Sequence, residues 1–219
     1  MPELHRENEV YVLDLGDDEN RFSPDWLKTV NAFLDEITAQ PAPRALVTVA
    51  RGKFYSNGLD LEWVMAHPEQ MGTYVAEVQA LLARMLTLPV PTVAAVGGHA
   101  FGAGAMLAMA HDWRVMRTDR GYFCFPEVDI RIPFTPGMAA LIQAKLTPAT
   151  ALASMTTGRR YGGAEAVTAG LVDLAVPETE VLAQAVELVR PLTGNDPGTL
   201  GAIKATMYAT AVTALQQAS

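Results

Sequence analysis

Apolar positions along this chain repeat with period two in some stretches and near 3.6 in others, and the switches between the two outline its elements. Val10 to Leu15 (VYVLDL) alternates and predicts a strand, ended by the acidic turn Gly16 to Asn20. Ser23 is a candidate N-cap with Pro24 as a good first helical residue. The helix it starts, Asp25 to Thr38, gathers Trp26, Val30, Phe33, Leu34 and Ile37 on one face. A second strand follows at Ala45 to Ala50, so the unit is β-α-β and parallel pairing is expected. Arg51 to Leu61 (RGKFYSNGLDL) is a turn-rich loop in which Asp60 can cap a helix running into Glu62, Trp63 and Val64. His67 to Gly72 interrupts the pattern. Thr73 to Thr87 then predicts an amphipathic helix with Val75, Val78, Leu81, Leu82 and Met85 on its apolar side, stopped by Pro89 and Pro91.

The centre of the chain is the run PVPTVAAVGGHAFGAGAMLAMAHDWRV, from Pro89 onward. It reads as a strand from Val93 to Val96, a glycine-bearing turn from Gly97 to Gly104, and a buried Ala/Met-rich helix from Ala105 to Ala110. A helix opening at a glycine turn aims unpaired N–H groups and the positive end of its dipole at whatever lies in front of it. Further on, the apolar run Tyr122 to Pro126 leads to a single carboxylate, Glu127. An anion-stabilising turn and one acid in apolar company are sufficient to move a proton beside a carbonyl. Beyond it the pattern predicts helices over Gly137 to Lys145 and Ala149 to Thr157, and a short one ending at Gly170. A strand over Leu171 to Val176, an amphipathic helix over Glu180 to Leu192 and a helical tail from Gly198 to Ser219 with few anchoring residues complete the reading.

Composition narrows the class. With 219 residues, half of them hydrophobic, the chain can bury one large core. A net charge of −8 argues against a nucleic-acid surface. One cysteine, Cys124, rules out an internal disulfide framework and fits a reducing compartment. No basic-then-apolar leader precedes the first strand and no apolar run reaches spanning length, so a cytoplasmic protein without a membrane partner is expected.

Three separated motifs occur in order: a loop ending SNGLDL, the central run from Pro89, and FCFPEVDI. Over about Val10 to Val176 the chain resembles the enoyl-CoA hydratase/isomerase (crotonase) superfamily, and within it the short, single-carboxylate members similar to Δ3,Δ2-enoyl-CoA isomerases. The resemblance implies an α/β fold, the crotonase (ClpP-like) spiral of β-β-α repeats over residues 1–176, with a C-terminal helical region, 177–219, used in trimer assembly. It implies a coenzyme A thioester as substrate, no separate cofactor, and a homotrimer or dimer of trimers working in fatty-acid metabolism. By motif position, the backbone N–H groups of Leu59 and Ala103 would hold the thioester oxygen as it becomes an enolate oxyanion. Gly58 and Gly102, in the two turns that carry them, and Met106 would by the same resemblance border the bound acyl-CoA.

Glu127 stands at the position of a catalytic carboxylate, as base and then acid, and its apolar surroundings should raise its pKa. Met106 stands where hydratases of the family place a second glutamate; methionine transfers no proton, which favours double-bond migration over water addition. Ser56 and Asn57 lie in the loop that resembles the segment contacting CoA, with Arg51 and Lys53 placed to meet its phosphates. Arg131 stands where relatives commonly have glycine; it could narrow the acyl pocket, pair with Glu127 and lower its pKa, or face solvent.

Other chemistries find less support. His99 and His111 lie on different elements with no third ligand at a recognised spacing, so no metal site is expected. Asp112 reads as a cap or a partner of Arg114, and Cys124 as a buried inert thiol. A dinucleotide fingerprint around Gly102 and Gly104 fails at its third glycine, where Leu107 stands, and no G-x-S-x-G occurs. The alternatives carried forward are an enoyl-CoA hydratase and a non-catalytic acyl-CoA-binding subunit.

Overall fold

In the computed structural model, which describes residues 1–217, the chain winds as a spiral: a first turn with both strands in a large sheet, then three turns that each lay a strand in that sheet, a strand in a small sheet, and then helix. Strands β1 (Glu3–Glu7) and β2 (Val10–Asp14) form an antiparallel pair, followed by α1 (Pro24–Ala39). The next turn is β3 (Ala45–Val49), β4 (Phe54–Ser56), α2 (Leu61–Ala66) and α3 (Met71–Leu86). Then come β5 (Thr92–Val96), β6 (His99–Phe101) and α4 (Ala103–Ala110), and after them β7 (Trp113–Arg117), β8 (Phe123–Cys124) and α5 (Glu127–Ile130). Helices α6 (Pro136–Lys145), α7 (Pro148–Thr157) and α8 (Gly163–Thr168), strand β9 (Leu174–Val176), and helices α9 (Val181–Val189), α10 (Pro197–Met207) and α11 (Ala209–Gln216) complete it. The large sheet has the order β1-β2-β3-β5-β7-β9, parallel except at β1; the small one is β4-β6-β8, all parallel.

The strand periodicity explains the layering. Tyr11, Leu13, Leu46, Ala94, Val96 and Met116 point into the main core with the buried faces of α1, α3 and α4, while Val10, Val12, Ala45, Val47, Val93, Ala95 and Val115 point the other way. That second face is covered by Val181, Ala185, Val186 and Val189 of α9. Parallel strands buried on both faces need apolar residues at odd and even positions alike, as found here. Each valine so buried contributes on the order of 1.5–3 kcal/mol.

Most predicted elements are present with shifted ends. Ser23 Oγ accepts from Trp26 N at 3.2 Å and Pro24 opens α1, though Leu27 joins the buried face and Phe33 is only half-buried. The interruption at residues 67–72 is a 3₁₀ turn, Pro68–Gln70, that feeds directly into α3. Gly97 to Gly104 is not one turn: His99–Phe101 inside it is β6, paired with β4 and β8, a strand too short to show a period. Strand β1 was not anticipated, because its sequence, ELHRE, is mostly exposed and only pairing with β2 makes it a strand.

The tail is better anchored than its composition suggests. Lys204 of α10 is 4% exposed, donating to the carbonyls of Leu88 (3.0 Å) and Val90 (2.9 Å) and pairing with Asp112 at 2.6 Å. Asp112 therefore serves Lys204, while Arg114 pairs with Asp173 at 2.9 Å. Helix α11 packs on α6 and α3 of the same chain, with Leu215 buried. Ala218 and Ser219, at the end of the predicted tail helix, lie outside the described residues.

Candidate active site

The loop between β4 and α2 lies against the first turn of α4. Gly58 has φ +78, and a β-carbon on it would sit 2.8 Å from the amide nitrogen of Ala103, 2.9 Å from the carbonyl oxygen of Phe101 and 3.0 Å from the nitrogen of Gly104. Only glycine permits both that conformation and that approach. Ser56, fully buried, pins the loop from beneath: its hydroxyl donates to Asn20 O at 2.7 Å and accepts from Gly58 N at 3.1 Å. Asn57 is held to Glu19 by its backbone N–H (2.8 Å) and its side-chain amide (3.3 Å).

The hydrogen bonds on two carbonyls give the directions of two N–H groups. Gly58 O accepts from Phe22 N at 2.8 Å, and Gly102 O accepts from Met106 N at 3.0 Å. Both following peptide bonds are trans, so the N–H of Leu59 and the N–H of Ala103 point away from those partners. For Ala103 that direction is out of the N-terminus of α4, where the helix dipole is positive. Among the described residues neither amide has a backbone or side-chain acceptor.

Glu127, first residue of α5, is 8% exposed. A β-carbon on Gly102 (φ +52) would lie 3.4 Å from its Oε1, which puts the carboxyl beside the turn that opens α4. Its Oε2 has no hydrogen-bond partner among the described residues. Burial pushes the pKa up to about 7, with its own backbone N–H offsetting part of the rise. Near neutral pH such a group both takes and returns a proton.

Met106 sits one helical turn beyond Gly102 and is 1% exposed, packed in the main core. Arg131 is exposed at the C-terminus of α5 with φ +59 and makes no ion pair among the described residues; of its three readings, solvent exposure is the one observed. Lys53 is exposed with its ammonium 5.1 Å from the ring centre of Phe54. Arg51 is bonded to Asp14 at 2.6 Å and lies 3.7 Å from Glu3.

The structure brings near the loop that carries Leu59 two residues that the sequence reading did not single out, Arg21 and Tyr74, and places His111 and Cys124 as buried groups. Arg21 lines a cavity of about 310 Å³ with Leu15, Glu19, Trp26 and Asp60, next to Leu59, and its guanidinium pairs with Glu62 at 3.0 Å. Tyr74 of α3 accepts from the Asp60 amide at 2.8 Å. His111 is fully buried: Nδ1–H donates to Leu107 O at 2.8 Å, so Nε2 accepts from Thr48 Oγ1 at 2.9 Å, and Tyr55 donates to Thr48 at 2.7 Å. This chain ties α4 to the sheet, and burial holds the imidazole neutral with its pKa down at about 3. The Cys124 thiol donates to Gly158 O at 3.2 Å and is pushed up to about 11 by burial. No group of three His, Cys, Asp or Glu suited to a metal occurs among the described residues.

A large sheet, parallel except at β1, and a small parallel sheet, wound by β-β-α turns with a buried acid beside the N-terminus of α4, define a crotonase-type spiral. A family model described as enoyl-CoA hydratase/isomerase matches residues 5–219. Enoyl-CoA delta isomerase 2, peroxisomal, from Arabidopsis thaliana is 37% identical over 189 residues, 82% of this chain and 79% of that one. Enoyl-CoA delta isomerase 3 of the same plant is 37% identical over 186 residues, 82% and 78% of the two chains. The apo structure of a Mycobacterium tuberculosis enoyl-CoA isomerase superposes with a TM-score of 0.89 at 25% identity, covering 98% of this chain and 94% of that one. For human mitochondrial Δ3-Δ2-enoyl-CoA isomerase the TM-score is 0.91 at 21% identity, covering 97% and 84%, a likeness of fold. The chain belongs to the enoyl-CoA hydratase/isomerase family.

Proposed function

We propose that this protein is an enoyl-CoA isomerase that moves a double bond from the 3,4 to the 2,3 position of a coenzyme A thioester. The observation that carries the reading is a buried carboxyl, half-ionised near neutral pH, beside a turn whose amides are aimed outward, with methionine at the position of a second acid. The thioester oxygen accepts from Leu59 N–H and Ala103 N–H. Glu127 removes a proton from C2, and the electron pair spreads over the thioester oxygen, C2 and C4 as a dienolate. The same carboxyl, now protonated, delivers its proton to C4, leaving the 2,3 double bond and restoring the carboxylate. No water is consumed. Donors aimed at the developing oxyanion are each worth roughly 3 kcal/mol in comparable sites.

In this reading the main chain of Ser56, Asn57 and Gly58 borders the pantetheine arm, and Gly102 and Met106 border the acyl group. Lys53 and Arg51 meet the phosphates, Arg51 by exchanging its bond to Asp14. The reaction needs no cofactor, since coenzyme A enters as part of the substrate. We also propose a homotrimer or dimer of trimers; exposed Val128, Ile130 and Leu152 offer apolar surface for such an assembly. A free thiol fits the reducing cytoplasm, the proposed compartment, and fatty-acid metabolism is the proposed setting.

The test is incubation with 3-enoyl-CoA and, separately, 2-enoyl-CoA in deuterated water. Double-bond migration with no 3-hydroxyacyl product is expected, deuterium entering at C4 only to the extent that the proton held by Glu127 exchanges with solvent before its delivery. Rapid formation of 3-hydroxyacyl-CoA from the 2-enoyl substrate would replace isomerase by hydratase, and CoA binding without turnover of either would make the chain a binding subunit.

A further inference from the structure

Tyr74 presents a problem of economy. It is 1% exposed in the apolar face of α3, where phenylalanine would fill nearly the same volume without burying a hydroxyl. The hydroxyl is used at one point: it accepts from the backbone N–H of Asp60 at 2.8 Å. Asp60 directly follows Leu59, and the two peptide units that flank Leu59 are each held. The unit on its N-terminal side is held through Gly58 O by the main chain of Phe22 (2.8 Å). The unit on its C-terminal side is held through Asp60 N–H by Tyr74, and its carbonyl accepts from Leu61 N at 3.1 Å. Tyr74 is the one side chain in this clamp among the described residues.

We infer that Tyr74 is a positioning residue for the Leu59 amide: its hydroxyl fixes the Leu59–Asp60 peptide and thereby the angle at which the preceding N–H meets a thioester oxygen. The inference rests on the proposed isomerase reading. The surroundings suit a fixed strut. The Tyr74 ring packs against Trp63 of α2 at 5.3 Å, and Trp63 stacks on His67 at 4.5 Å, so the aromatic body is held independently of the hydroxyl. Burial raises the phenol to about 12, which keeps it neutral over the working range, and the acceptor role does not change with pH. Asp60 contributes twice, since its carboxylate caps α2 by accepting from Trp63 N at 3.1 Å. Loss of the Tyr74 hydroxyl leaves the Asp60 N–H half-buried and unpaired, and the turn carrying Leu59 free to rotate toward another acceptor.

The experiment is Tyr74→Phe, which keeps the ring and removes the oxygen. Two readouts separate positioning from support: the kcat against KM split with 3-enoyl-CoA, and the carbonyl stretch of bound ¹³C=O hexanoyl-CoA by difference infrared spectroscopy. Hexanoyl-CoA carries no double bond to migrate, so its carbonyl reports how strongly the amides polarise it. A misaimed donor should lower kcat by about tenfold, less than the 10²–10³ seen when a donor is removed outright, with KM within about twofold. The downshift of the bound carbonyl should shrink in parallel. Wild-type kcat and an undiminished downshift in Tyr74→Phe would overturn the inference, as would a lower melting temperature with both readouts unchanged. Failure of the underlying reading looks different: wild-type protein itself would then bind the thioester without any carbonyl downshift.

Discussion

Gly58→Ala is the sharpest test of how the two halves of the site are joined. The added methyl would lie 2.8, 2.9 and 3.0 Å from Ala103 N, Phe101 O and Gly104 N, all main-chain atoms that no rotamer change can move aside. The left-handed conformation, φ +78, costs an L-residue roughly 1–2 kcal/mol, and overpacking typically adds about 1–3 kcal/mol. Together these predict a loss of roughly 2–5 kcal/mol in stability if the backbone holds its place. If instead the loop gives way, Leu59 N–H retreats from the N-terminus of α4, and kcat should fall by about 10²–10³. Urea unfolding and steady-state turnover of 3-enoyl-CoA measure the two effects on one preparation. The reasoning is refuted if the variant keeps both wild-type urea midpoint and wild-type kcat. It is refuted in part if stability falls and kcat does not, since this contact would then not set the donor geometry.

Three further outcomes follow from the buried charges. Rates should drop on acidification, because in the proposed mechanism Glu127 takes the first proton as a carboxylate: kcat/KM is expected to fall as pH decreases through about 7, and a profile flat from pH 5 to 8 would exclude it as the base. Glu127→Gln should abolish turnover with CoA affinity nearly intact, while changing stability in a pH-dependent way. The folded state binds the Glu127 proton more tightly than the unfolded chain, so that contribution is complete below about pH 4.5 and is lost as pH rises through about 7. The wild type should lose about 3 kcal/mol relative to the glutamine variant over that interval, measured by urea unfolding at pH 4.5 and 8. Lys204→Met strands Asp112 and two carbonyls, and should cost roughly 3–5 kcal/mol with premature exchange of amide protons in α10 and α11; unchanged protection there would contradict the anchoring role.

The elements that carry the site were legible because their signals are local. Period-two runs at Val10 and Ala45, the Ser23-Pro24 cap and the glycines around Phe101 each depend on neighbours within a few residues. Shorter strands, β4, β6 and β8, were not legible: two or three residues cannot show a period, and pairing with one another makes them strands. Arg51 shows a second limit. Its charge is plain in the sequence, but Asp14, which occupies it, is brought near by the parallel register of β2 and β3.

By itself, the sequence determined the alternation of strands and helices, the glycine turns where chain can approach chain, and the solitary acid after Pro126. Only the tertiary structure decided where those groups point. The directions of the Leu59 and Ala103 amides follow from what holds Gly58 O and Gly102 O, the Tyr74 hydroxyl matters because α3 brings it under Asp60, and Lys204 meets carbonyls 114 and 116 residues away. Local pattern selects a backbone conformation; the orientation of a peptide dipole is set by partners that only the completed spiral supplies.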